Sequence, residues 1–378
     1  MMSNVLITGG AGFIGSNLSL KLIDKGYEVT ILDNLSPQIH SENPDDSYTY
    51  NTIRGKVNFI KGDVGSINDW RKALTNVDVV IHLAAETGTG QSMYEIDKYV
   101  ATNIGGTAKL LEILTNEEHH VKKLIVAASR AVYGEGKFEC EKHGIVYPKS
   151  RIDEDMIKGD FEVKCPVCGK TVKMLPTDEL SELQPTSVYG FTKQAQEQLC
   201  MIVGKSIGIP VVAYRFQNVY GPGQSLKNPY TGILSIFSTR IKNGNDINIF
   251  EDGLETRDFV YIDDVTDAVI LGIEKEKANY RTFNVGSGEK TDVLTVANTL
   301  KEKYGANIQI NVSGNYRLGD IRHNVGDLKL IHSLLGYEPK VHFKQGISNF
   351  VDWVERQAVE VDNYEASIEE MKKKGLYK

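Results

Sequence analysis

A short apolar run, Val5-Leu6-Ile7, leads directly into Thr8-Gly9-Gly10-Ala11-Gly12-Phe13-Ile14-Gly15. Three glycines at this spacing behind a strand pattern constrain the fold more than any other feature of the chain. After them Phe13, Ile14, Leu18, Leu20, Leu22 and Ile23 fall roughly on one helical face, and the pattern stops at Lys25-Gly26. Glycine takes the left-handed backbone of a helix C-cap without steric cost. Tyr27–Leu32 reads as a second strand and ends in Asp33. The order is strand, glycine turn, helix, strand, acid.

Each part of that order has a chemical reason. Gly9 permits the tight turn, Gly12 lets backbone N–H groups approach a pyrophosphate, and Gly15 lets the helix pack close to the sheet. The helix N-terminus supplies partial positive charge for phosphates. Asp33 stands where a carboxylate accepts hydrogen bonds from an adenosine ribose; it would repel a 2′-phosphate, so NAD is expected over NADP.

The alternation continues. Val57–Ile60, Val77–Leu83 and Lys123–Ala128 read as strands, and helical stretches separate them. This predicts an α/β fold with a Rossmann-type doubly wound parallel sheet. Ligands then collect at the carboxyl ends of the strands, where Asp63, Ala84, Ala85, Thr87 and Ser129 lie. The expected organisation is an NAD-binding domain over residues 1–185, carrying an insert at 135–180. Residues 186–378 are expected to form mostly a smaller mixed α/β substrate-binding lobe, with segments 209–219 and 281–288 returning to the main sheet. In the lobe, Ile233–Asn243, Leu294–Tyr304 and Leu328–Leu335 read as helices, Ile247–Phe250 as a strand, and the charged tail Glu365–Lys378 as a surface helix.

A chain of 378 residues is long enough to bury a core without disulfides. Its net charge of −7 makes a nucleic-acid partner a poor expectation. No run of 18 apolar residues suggests a membrane span. MMSNVLITGG lacks the basic and apolar regions of a signal peptide, so a cytoplasmic location with reduced cysteines is expected.

Tyr189-Gly190-Phe191-Thr192-Lys193 places a tyrosine and a lysine four residues apart, on one face of a helix. An ammonium near a phenol favours the phenolate and lowers the tyrosine pKa. Ser129 is placed to share a substrate hydroxyl with Tyr189. A Tyr-x-x-x-Lys pattern is common by chance; its weight here comes from its position after the nucleotide half and from Ser129.

The chain resembles the extended short-chain dehydrogenases/reductases of the NAD-dependent nucleotide-sugar epimerase/dehydratase family. The resemblance rests on Thr8–Gly15, Asp33-Asn34, Gly62-Asp63-Val64, His82–Gly88, Asn103, Ser129–Gly134, Tyr189 with Lys193, Arg215–Pro222, Arg257–Asp264, Phe283–Gly288 and Gly319–His323. It spans about residues 4 to 350 and is specific for the family more than for the substrate. It implies an NAD site lined by Gly9, Gly12, Phe13, Ile14, Gly15, Asp33, Asn34, Asp63, Val64, Leu83, Ala84, Ala85, Tyr189 and Lys193, with Asp63 at the adenine amino group and Phe216 near the nicotinamide. It implies that Asn218, Arg257 and Arg322 bind the diphosphate of a nucleotide sugar; Thr87, Ser129 and Arg130 are further substrate-side candidates. The competing reading of Arg257 and Arg322 is a salt bridge with Asp258 or Asp320.

The implied reaction is transient oxidation of a sugar at C4, with Tyr189 as base, leading to epimerisation. Family dehydratases place an acid and a base, usually Asp-Glu, directly after the Ser/Thr; here Arg130 and Ala131 stand there, and a guanidinium cannot do that work. Arg130 either recognises a substrate oxygen or phosphate or is an ion-pair partner. The alternatives are a 4-dehydrogenase, a 4-ketoreductase or a dehydratase of the same family. A regulatory NAD sensor is disfavoured by the intact Ser129, Tyr189 and Lys193.

The insert holds Cys140-x2-His143, then 21 residues, then Cys165-Pro166-Val167-Cys168. Two ligand pairs so spaced read as a closed structural zinc site, with His143 the least certain ligand. Cys200 reads as core. With this insert, Asn34–His40 and Ser129–Lys137, the chain resembles the bacterial dTDP-L-rhamnose 4-epimerase group. The resemblance also suggests a homodimer through the helices around Asn103–Leu114 and Phe191–Val203; packing within one chain would explain their apolar faces equally.

Overall fold

Seven parallel strands form the central sheet of the computed structural model, which describes residues 3–230 and 232–378. They are β1 (Asn4–Thr8), β2 (Glu28–Asp33), β3 (Asn58–Lys61), β4 (Val79–His82), β5 (Lys123–Ser129), β6 (Val211–Phe216) and β7 (Arg281–Val285). Their spatial order is β7-β6-β5-β4-β1-β2-β3. The strands are rich in Val and Ile because helices cover both sheet faces. Side chains alternate between the layers: Val5 and Ile7 join one core with Ile31, Ile81 and Val212, and Leu6 joins the other with Leu32, Val80 and Trp70. Cys200 packs in that second core, fully buried. Strand order reverses between β1 and β4, and the crevice beyond their carboxyl ends is where such sheets bind ligands.

The chain leaves this sheet twice to build a smaller lobe. Helices Ile233–Lys242, Val293–Tyr304 and Phe343–Glu355 pack with two small sheets around Tyr220, Phe237, Phe259 and Phe350. Strand β6 pairs in parallel register with β7 on one side and with β5 on the other. The insert is a separate antiparallel three-stranded sheet, Gly144–Val146, Phe138–Cys140 and Lys173–Met174, with its own small core of Phe138, Val146, Val163 and Val172.

The tail differs from the surface helix expected. Tyr364–Lys373 is helical, but Tyr364, Ile368 and Met371 are buried against the lobe, and Lys378 pairs its backbone with Tyr316. The charges that dominate this segment occupy only its outer face. No helix among the described residues is long and apolar enough to cross a membrane.

Candidate active site

The turn after β1 is built by contacts that only glycine allows. Gly9 has φ +64°, and a Cβ there would sit 2.9 Å from the Ala84 backbone. A Cβ on Gly15 would lie 2.5 Å from Gly10 Cα, so the helix Phe13–Asp24, α1, could not approach the turn. Gly12 begins α1 with no side-chain cap, which leaves its first backbone N–H groups for an anion. Asp33 ends β2 on the same crevice, its two carboxylate oxygens accepting the N–H groups of Ala11 (2.9 Å) and Leu35 (2.8 Å). Burial raises its pKa, against His40 and these N–H groups. The donor set of free helix N–H groups, with a carboxylate at the end of β2 on the same cleft, fits a dinucleotide.

A cleft of about 650 Å³ opens here between sheet and lobe. Its wall brings together Gly9, Gly12, Phe13, Ile14, Gly15, Asp33, Asn34, Val64, Leu83, Ala84, Ala85, Thr87, Ser129, Arg130, Tyr189, Lys193, Phe216 and Asn218. Asp63 stands just behind it and accepts the Asn34 side-chain amide at 2.8 Å.

The helix Val188–Ile207, α2, carries the tyrosine and lysine. Ser187 caps it by accepting the Gly190 N–H at 3.1 Å, which fixes Tyr189 in the first turn. Asn103, on a π-helical turn over Val100–Gly105, binds the Glu86 backbone on both sides and donates to Thr192 Oγ1 at 2.9 Å. It thereby ties the loop after β4 to α2.

The electrostatics depart from the expected Lys–Tyr pairing. Burial pushes the Tyr189 pKa up; hydrogen bonding from Ser129 and the charge of Arg130 oppose it. Lys193 is itself buried and held at about 7, mainly by that burial. Its ammonium donates to Gln196 Oε1. Arg130 opposes the burial of the phenol, while the Lys193 ammonium points along its own helix to Gln196.

Two expected phosphate ligands are not on the cleft wall. The Arg257 guanidinium donates to the carbonyls of Thr256, Ile321 and Arg322. Arg322 is 0% exposed and is consumed by Glu162, Glu251 and Asp252. Nor are Asp258 and Asp320 their partners. Asp258 accepts N–H groups from Ser287 and Gly288, and Asp320 pairs with Arg317.

Other wall residues carried no assignment from the sequence. His40 bonds Ser47 Oγ through Nδ1 at 2.8 Å, and its Nε2 lies 3.8 Å from Asp33. Tyr48 meets Trp353 edge to face, ring centroids 5.4 Å apart, and Lys227 donates to Ser41 Oγ at 2.7 Å. The segment Asn34–His40 was visible as part of the family pattern. Trp353 and Lys227 left no signal, since their place depends on chain folding back over 180 residues or more.

In the insert, Cys140, His143, Cys165 and Cys168 present ligand atoms all within 4.8 Å of one another. Cys140 Sγ is 3.8 Å from Cys168 Sγ, and His143 Nδ1 is 3.5 Å from the sulfurs of both Cys140 and Cys165. Zinc–sulfur bonds of about 2.3 Å and zinc–nitrogen bonds of about 2.0 Å give tetrahedral edges of about 3.8 and 3.5 Å. The four atoms fit that ion.

Residues 5–150 and 165–286 match the NAD dependent epimerase/dehydratase family; the gap falls within the insert. The chain belongs to this family. It is 37% identical over 358 residues to a dTDP-L-rhamnose 4-epimerase of Burkholderia thailandensis, covering 93% of this chain and 95% of that one. A UDP-glucose 4-epimerase of Thermotoga maritima, solved with UDP-glucose, superposes with a TM-score of 0.74 at 30% identity, covering 93% of this chain and 99% of that one. A UDP-glucuronic acid 4-epimerase of Bacillus cereus, solved with UDP-glucuronic acid and NAD, gives 0.73 at 26% identity, with the same coverage.

Proposed function

We propose that the protein is a nucleotide-sugar 4-epimerase acting on dTDP-L-rhamnose or a related dTDP-, UDP- or GDP-sugar. The observation that carries this reading is the convergence of Ser129, Tyr189 and Lys193 on the cleft that also holds the glycine turn and Asp33. NAD, held by that turn and Asp33, supplies the reversible hydride acceptance at sugar C4. Tyr189 removes the C4 hydroxyl proton, and Ser129 shares the same hydroxyl through a hydrogen bond. Tyr189 returns the proton after the sugar has presented its opposite face. Lys193 steadies the ribose side of the site. Arg130 and Ala131 supply neither acid nor base at the positions where dehydratases need them, which supports epimerisation over elimination.

The test is incubation of purified protein with dTDP-L-rhamnose, without added cofactor, followed by NMR of the sugar. The C4 epimer, dTDP-6-deoxy-L-talose, is the expected product. Stoichiometric NADH without an epimer would support a 4-dehydrogenase instead.

The insert is read as a structural zinc site with Cys140, His143, Cys165 and Cys168 as ligands, closed to substrate because all four tetrahedral positions come from protein. A cytoplasmic setting keeps these thiols reduced. A homodimer is supported by exposed apolar side chains on α2, Phe191 and Ile202, at 55% and 67%; light scattering of the purified protein tests it.

A further inference from the structure

The cleft wall carries a guanidinium that, among the described residues, no carboxylate pairs with directly. Arg130 donates from Nε to Asn218 Oδ1 at 2.9 Å. Among the described residues no carboxylate reaches ion-pair distance of it, and its two terminal nitrogens donate to no protein acceptor. Burial and then the neighbouring Arg257 charge hold it down at about 9, so it remains a cation at neutral pH. Arg130 is half-buried on the cleft wall, and a partly desolvated cation without a paired carboxylate favours an anion in the cleft.

Arg322 shows the opposite arrangement. It makes five hydrogen bonds to three carboxylates. One of these, Glu162, belongs to the insert. The insert also sends Arg151 to Glu251, with contacts of 2.7 and 2.8 Å, and Glu135 to the backbone N–H of Arg322 at 2.9 Å. The insert thus binds Arg322 into a buried ion network and leaves it no donor for a ligand.

We infer that Arg130 is the arginine that grips an oxyanion of the substrate in this protein, beside Asn218, while Arg322 serves only to lock the insert to the lobe. This deepens the nucleotide-sugar reading and rests on it. The oxyanion is a phosphoryl oxygen of the nucleoside diphosphate or a carboxylate on the sugar. Both suit the two terminal N–H groups of a guanidinium fork.

Calorimetric titration of dTDP, UDP-glucose and UDP-glucuronic acid into purified protein loaded with NAD separates the cases. Arg130→Met is expected to weaken dTDP binding by about tenfold or more, with Arg130→Lys in between, because lysine keeps the charge and loses the fork. The melting temperature of both variants stays near that of the parent. Arg322→Met is expected to lower the melting temperature instead. A dTDP affinity unchanged by Arg130→Met, with a lost preference for UDP-glucuronic acid over UDP-glucose, assigns the grip to a sugar carboxylate. Unchanged affinity for all three overturns the inference. The epimerase reading fails separately: loss of dTDP affinity in Arg130→Met without any turnover by the parent protein keeps Arg130 as an anion ligand and removes the reaction.

Discussion

Lys193 donates from Nζ to Oε1 of Gln196, 2.5 Å away and three residues further along α2. Gln196 in turn donates to Thr107 Oγ1 at 2.9 Å, Thr107 meets His82 Nε2 at 3.0 Å, and His82 Nδ1 meets Thr8 Oγ1 at 2.7 Å. This cleft-wall lysine is thus the end of a buried polar row that crosses beneath the cleft from α2 to β1.

That row sets a pH dependence. Lys193, held near 7, loses its charge as pH rises through neutrality. Gln196→Met removes the acceptor that favours the ammonium and moves the alkaline limb of kcat/KM to lower pH; each unit costs roughly tenfold in activity on that limb. Gln196→Glu moves the limb upward. A limb that stays in place in both variants would show that Lys193 charge is irrelevant to turnover.

Tyr189→Phe keeps the ring and removes the proton acceptor. Its kcat is expected to fall by about 10²- to 10⁴-fold, with dTDP affinity within about twofold of the parent. A variant that loses affinity and rate together would make Tyr189 a binding residue rather than the base.

Cys165→Ser combined with Cys168→Ser opens the site where four ligand atoms lie within 4.8 Å. Metal analysis is expected to fall from one zinc per chain to none, and the melting temperature to drop with it, since structural zinc contributes folding free energy. Chelation of the parent protein gives the same shift. A parent protein purified without zinc, and stable without it, contradicts the assignment.

Glu255 is buried, with one carboxylate oxygen unpartnered, and burial pushes its pKa to about 7. Its folded pKa lies above its unfolded one, so its protonation favours the folded state fully below about 4.5. That contribution is lost as pH rises through about 7 and amounts to on the order of 3 kcal/mol. Glu255→Gln removes this titration. Melting temperatures at pH 5 and pH 8 are expected to show the variant gaining on the parent at pH 8. An identical pH response in the two proteins contradicts the proposed charge state.

The nucleotide half was legible because its signals are local. The glycine turn, α1 and Asp33 lie within thirty consecutive residues, and each has one physical reason for its place. The Cys/His cluster was legible by spacing, because two tight turns present their ligands whatever surrounds them. Arg322 was misread because its partners Glu162, Glu251 and Asp252 lie 160, 71 and 70 residues away; only the docked insert brings them together. Arg130 stayed undecided from sequence for the related reason that the absence of a carboxylate is a fact of packing. The hydrogen bond of Lys193 was not legible in the sequence. The lysine's four-residue spacing to Tyr189 is on one helical face, but Gln196 shares that face and wins the ammonium.

In the proposed reaction, sugar C4 is oxidised and then reduced within one site. Epimerisation of dTDP-L-rhamnose run in D2O and followed by NMR tests it most directly. The expected product is the C4 epimer with its original hydrogen at C4 and no deuterium there, because the hydrogen removed is the one put back. Deuterium at C4 of the product, or no epimer from any dTDP-, UDP- or GDP-sugar, would contradict it.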